Sequence, residues 1–227
     1  MSAEGVRARV RAEMTEEIKT VARRHLATDG ANLSLRAVAR DMGMASSAVY
    51  RYFASRDELL TALIIDAYDA VGEKVENAEK REKGGHVERL LVTAHAVREW
   101  ALENPHQWAL IYGSPVPGYQ APVDTVAPAT RVILLIARIV QDAYEAGAIA
   151  EQAAITGGYA DELARVAQQF TPGTPPRLVG AAFSAFIHLC GAVSAELFGQ
   201  LNNSVDEDRR GYFEFQMRGA AAFIGLG

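Results

Sequence analysis

Apolar residues return at steps of three and four along nearly the whole of this 227-residue chain. Met14, Ile18, Val21, Ala22, His25 and Leu26 do so near the N-terminus, and Leu59, Leu60, Leu63, Ile64, Ala67, Tyr68 and Val71 do so further on. That spacing gathers a stripe on one side of an α-helix, whereas a strand would need side chains that alternate in and out. No long alternating run competes with it, and no internal repeat is visible. The fold class is therefore all-α.

Punctuation divides the pattern into helices. Gly30 is expected to cap the first. Ser34 is a good N-cap for a short second helix with Leu35, Val38, Ala39 and Met42 inward, and Gly43 breaks it. A third short helix runs from Ala45 or Ser46 to Phe53. Ser55-x-x-Glu58 reads as a capping box that opens a long fourth helix, which fades into the charged run KVENAEKREKGGH. Val87 to Glu103 is helical up to Asn104-Pro105, and His106 to Tyr112 is short and aromatic. GSPVPGYQAP is a loop by composition. Helices follow from Val123 or Thr130 to Ala146, from Pro175-Pro176 to about Leu201, and from Asp206 to Ile224. The stretch between TGGYADE and TPGTPP stays unassigned.

Charge is uneven along the chain. The whole carries a net charge of −5, yet residues 1–55 hold nine basic and six acidic residues, for +3, and the rest carries −8. A small basic module on an acidic body fits a partner that is itself an anion. The chain has one cysteine, Cys190, so no disulfide can form within it, and the charged N-terminus lacks the apolar core of a signal peptide. A cytoplasmic location is expected.

The basic module carries the motif. A short helix, a glycine turn and a second short helix between Ser34 and Phe53 make a helix-turn-helix, whose second helix enters the major groove. Ala45, Ser46, Ser47 and Ala48 at its start are small enough to approach base edges, and serine can donate or accept there. Val49 and Phe53, four apart, are the inward face. Tyr50 and Tyr52 lie 200° apart on a helix, so they cannot both be core. With Arg51 they form a rim suited to phosphate. Ser55, Arg56 and the open N–H groups of the fourth helix add an anion site.

LSLRAVARDMGMASSAVYRYFASRDELLTAL resembles the DNA-binding segment of the TetR family of bacterial regulators, over roughly residues 10–65. WALIYGSPVPGYQAP resembles a segment of an actinobacterial subgroup of that family. The resemblance implies a homodimer. Its three-helix heads, here residues 1–55, would read two half-sites of a double-stranded operator. Its helical bodies, residues 56–227, would dimerise and sense a small molecule. It implies phosphate contacts at Ser34 and Arg56, base reading from Ala45 to Ala48, and phosphate or base contacts at Tyr50 and Tyr52. Arg36 would reach a base or a phosphate. Repression is the family default. Ser46 replaces a common lysine, and Ser47 and Ala48 stand where threonine or glycine is common, so base preference does not carry over.

For the body, Tyr68, Trp100, Trp108, Tyr112, Phe183, Phe186 and His188 are candidate pocket residues, since ligand sites are mostly apolar with a few polar groups. Leu178 to Ala195 contains no formal charge. It is read as a buried helix rather than a membrane span. Phe183, Phe186, Ile187 and Cys190 would meet its own core. Ala181, Ala185, Ala192 and Ala195 would face a second copy, with Phe213 at the same interface. No nucleotide-binding glycine motif, nucleophile elbow or H-E-x-x-H is present, so no enzyme is expected. His95 and Glu99 are spaced as two metal ligands but lack a third, so neither metal nor cofactor is expected. The rival reading is a helical protein-binding module without DNA activity.

Overall fold

A computed structural model describes residues 3–29, 33–149 and 153–227. Among them are ten α-helices: α1 (Ala3–Asp29), α2 (Leu35–Asp41), α3 (Ser46–Val49), α4 (Arg56–Arg81), α5 (His86–Glu103), α6 (Pro105–Tyr112), α7 (Val126–Glu145), α8 (Gly158–Phe170), α9 (Pro176–Leu197) and α10 (Arg209–Ile224). No strand is formed among the described residues; an isolated antiparallel bridge joins Ile149 to Leu226. The expected cap at Gly30 lies outside the described residues.

The elements follow the local chemistry. Ser34 caps α2, its hydroxyl accepting the Ala37 N–H. Ser55 accepts the Glu58 N–H at 3.1 Å, and the Glu58 carboxylate turns back to accept the Ala54 N–H at 2.6 Å. This is the capping box at the head of α4, displaced by one residue on its return bond. Pro105 and Pro176 stand in the first turns of α6 and α9, where a missing N–H costs nothing. Gly147, at φ 68°, ends α7 in the left-handed region that glycine enters without strain. Boundaries shift from expectation near the C-terminal end, where α9 stops at Leu197 and α10 starts at Arg209, with Asp208 accepting the Gly211 N–H at 2.8 Å. α8 occupies the stretch that composition left unassigned.

Two compact units divide the chain. The first comprises Met1–Tyr68 with Asn104–Pro128, and the second Asp69–Glu103 with Ala129–Gly227. In the first, Ile18, Val21, Ala22 and Leu26 of α1 bury against Val38 and Ala39 of α2, Val49, Phe53, and Leu59, Leu60 and Leu63 of α4. Lys19 and Arg23 both grip Asp66, at 2.8 Å and 2.6 Å, which locks α1 onto α4. Burial pulls the Lys19 ammonium down, but its bonds to Asp66 and Glu16 outweigh that and leave it raised. Trp108 of α6 is fully buried, and Tyr119 bonds the Thr61 hydroxyl at 2.9 Å, so the aromatic segment from Trp108 to Tyr119 belongs to this unit.

In the second unit α9 packs on α10, α8 and α5. Arg98 of α5 and Glu196 of α9 form a buried bidentate pair, at 2.7 Å and 2.6 Å. Arg131 of α7 spans Glu76 and Asp69 of α4, at 2.9 Å and 2.8 Å. Its hydrogen bonds hold the Glu76 carboxyl below the usual range.

Candidate nucleic-acid interface

The head assembles its outer surface from the inside outwards. Val49 and Phe53 are buried, as their four-residue spacing requires, and fix the rotation of the segment. With those two pinned, Ala45, Ser46 and Ser47 at the start and Tyr50 and Arg51 at the end are exposed. Gly43, at φ 65°, makes the turn, and Met44 N–H bonds Ala39 carbonyl at 2.9 Å. The regular part of α3 is only Ser46–Val49. Bonds from the N–H groups of Arg51, Tyr52 and Phe53 to the carbonyls of Ala48 and Val49 carry the turn on to Phe53.

The rim is less uniform than the tyrosine spacing suggests. Tyr50 is 45% exposed and Arg51 is exposed, but Tyr52 is half-buried and packs against the head core. Arg11 of α1 holds it there. Its guanidinium lies 5.2 Å from the centre of the Tyr52 ring, and its Nη2 donates to the Arg51 carbonyl at 2.9 Å. Ala48 is also half-buried. Ser34 and Arg36 are exposed, and the Ser34 hydroxyl, which accepts the Ala37 N–H, still carries a proton it can donate. Arg56 is half-buried; it donates to the Leu33 carbonyl at 3.2 Å and pairs with Asp57 at 3.3 Å. It therefore ties the start of α4 to the entry of α2 as well as bearing charge. Arg11 escapes a reading by motif because its partners lie forty residues away.

The body residues fall differently from expectation. Ala181, Ala185 and Ala192 are buried inside the unit, where small side chains let helices close on α9. A Cβ on Gly180 would meet Leu163 of α8 at 3.0 Å. Ala195 is half-buried, and Phe213 is buried beside His95 and Arg98, with its ring centre 5.4 Å from that of His95. The face of α9 that stays open carries Phe183, Ser184, Ile187, His188 and Gly191. The two faces are the reverse of those expected, because the alanines pack inward and Phe183 and Ile187 point out.

The candidate pocket residues are distributed over both units. Tyr68, Trp108 and Tyr112 lie in the first. The rings of Tyr68 and Tyr112 meet edge-on at 5.8 Å, and Tyr68 donates to the Ile111 carbonyl. Trp100 is buried in the second, with Phe186 half-buried and Phe183 and His188 exposed. A cavity of about 570 Å³ in the second unit is lined by other residues, among them Tyr144, Ile155 and Arg177. His95 pairs with Glu214 at 3.6 Å and Glu99 with Arg210 at 3.7 Å, and no cluster suited to a metal occurs among the described residues. α9 is long and apolar enough to cross a membrane by length and composition, but Leu178, Val179, Leu189 and Val193 bury within the bundle as in a core helix.

A helix-turn-helix head with small and serine side chains at the exposed start of its second helix, joined to a helical body, defines a DNA-binding transcriptional regulator. Residues 18–63 match the family described as bacterial regulatory proteins, tetR family, and residues 90–220 match the tetracyclin repressor-like C-terminal domain. An HTH-type transcriptional regulator of Mycobacterium bovis is 39% identical over 222 residues, covering 94% of this chain and 93% of the relative. The crystal structure of the regulatory protein SCO4313 superposes with a TM-score of 0.79 at 34% identity, over 95% of this chain and 98% of that one. RolR, solved in complex with its ligand resorcinol, shares the fold at a TM-score of 0.53 and 18% identity, over 96% of this chain and 95% of its own. The chain belongs to the TetR family and is a transcription regulator rather than an enzyme.

Proposed function

We propose that this protein is a ligand-responsive repressor that binds a palindromic operator in the cytoplasm as a homodimer. The observation that carries the reading is the row of exposed residues set by buried Val49 and Phe53; in this reading Ala45, Ser46 and Ser47 meet the bases, and Tyr50 and Arg51 the phosphates. Ser34, Arg36 and Arg56 supply further contacts to the DNA backbone, with Arg56 also bracing α4. Tyr52 and Ala48 support the segment from beneath. Two heads would need to stand one duplex turn apart, roughly 34 Å, to enter successive major grooves.

The open face of α9 supports self-association. Ile187 is 67% exposed, and Phe183 joins it on an uncharged stripe. A second copy would cover that stripe, in place of the alanine face. For signalling, α4 belongs to both units, its residues up to Tyr68 to the first and from Asp69 to the second. An effector that moved its body half would move the head half with it. RolR, with resorcinol bound, is a precedent within the fold for a small-molecule ligand.

Titration of the duplex upstream of the protein's own gene, at several salt concentrations, tests the operator reading. The expected result is tight binding that weakens steeply with salt, two protomers per site, and footprints on two half-sites. Binding that ignores both salt and sequence would overturn it. Ile187→Asp should convert the dimer to monomer in sedimentation while leaving the helical content unchanged. A dimer that persists unweakened would reject the α9 face.

A further inference from the structure

We infer that the cavity at the start of α9 is a binding site for a monocarboxylate with an apolar body, and that Arg177 holds the carboxylate. The cavity, about 570 Å³, lies within the second unit and is walled by Tyr144, Ile149, Ile155, Pro175 and Leu178. Its size falls in the range of small-molecule sites, and a mostly apolar wall with one charged group is their usual composition. Arg177 is that charged group among the described residues lining it.

Arg177 is badly placed for stability alone. It stands in the first turn of α9, a 22-residue helix, where the peptide dipoles already present positive charge. No acidic residue occupies that first turn. The residue is half-buried, and its Nη1 is shut off from solvent with no hydrogen-bond acceptor among the described residues. The Phe223 ring centre lies 5.9 Å from its guanidinium carbon, a contact with an aromatic face and not with a carboxylate. A buried guanidinium nitrogen without an acceptor costs stability, and a cation at a helix N-terminus adds to the cost. A carboxylate in the cavity would relieve both, through a planar two-bond match to the guanidinium and the attraction of the helix end. The apolar wall would take the remainder of the ligand. A single carboxylate matches the one cation among the described lining residues, and a second would meet their apolar wall unpaired.

The inference concerns binding by the protein alone, so it stands or falls separately from the operator reading. Calorimetric titration of the full chain with octanoate and phenylacetate at up to millimolar concentration tests it, with octanamide and inorganic phosphate as controls. At least one carboxylate should bind, octanamide should bind at least about tenfold more weakly than octanoate if octanoate is the ligand, and phosphate should not compete. Arg177→Gln should weaken carboxylate binding by at least about tenfold, and Arg177→Lys by less. Ile155→Trp, which fills the cavity and leaves Arg177 in place, should abolish binding even if the Arg177 variants fold poorly. Absence of binding by both carboxylates would overturn the assignment. So would equal binding of octanoate and octanamide where octanoate binds, displacement by phosphate, or unchanged affinity in a folded Arg177→Gln or Ile155→Trp protein.

Discussion

Glu196→Ala should be among the most destabilising single changes in the second unit. Glu196 accepts from Nε and Nη2 of Arg98 at 2.7 Å and 2.6 Å, and each residue is only 8% exposed. The Phe213 ring centre lies 5.7 Å from the guanidinium carbon, so truncation leaves the cation against an aromatic face rather than against water. Breaking a buried ion pair from one side costs about 3–5 kcal/mol, most of it from the charge left behind. For a chain of this size that corresponds to a fall in Tm of roughly 6–20 °C. Urea unfolding at fixed protomer concentration, followed by circular dichroism, measures the loss. Removing both charges with Arg98→Met and Glu196→Leu together should recover most of it, because desolvation of the pair offsets much of its attraction. A loss below about 1 kcal/mol for Glu196→Ala would refute the reasoning, since only an exposed pair is worth so little.

Three further outcomes follow from the geometry. Arg51→Ala should weaken operator binding alike across sequences and lower the salt slope by about one, whereas Ser46→Ala should change base preference at a similar salt slope; competition binding against a randomised pool separates the two. The His95 imidazole is held below its ordinary value, first by burial and then by the nearby Arg210, against the raising influence of Glu214. The unfolded chain therefore takes up its proton first, so stability should fall as pH drops from the ordinary imidazole value through the folded one; a His95→Gln protein whose stability changes just as much over that window would contradict this. Burial pushes the Cys190 thiol up to about 12, so iodoacetamide should label it slowly in the native protein at pH 8 and quickly in urea, as read by mass spectrometry.

What a linear reading can reach is set by how local each interaction is. The Ser55–Glu58 cap, the Gly43 turn and the Val49–Phe53 pair all act within a few residues, and each is visible as a spacing. Tyr52 and Arg56 are harder, because their surroundings come from Arg11 and Leu33 on other elements. The Arg98–Glu196 pair joins positions 98 residues apart with no spacing to announce it. α8 is a different omission. Leu163, Val166 and Ala167 repeat at helical steps, but glycines before and prolines after draw attention to the loops.

The inverted faces of α9 show where composition stops deciding. A helix without charges from Leu178 to Ala195 must cover both sides, but apolarity does not say which side meets its own chain. Separation between helix axes does. α8 comes so near that a Cβ on Gly180 would press on Leu163, and alanines at 181, 185 and 192 are the residues that permit such closeness. Phe183 and Ile187 would hold neighbouring helices further off, so they fall on the side where no helix of the same unit must fit closely. An interface formed there would bring large side chains rather than backbones together. A charge at Ile187 should therefore disrupt association while the protomer's own packing, carried by the alanine side, stays intact.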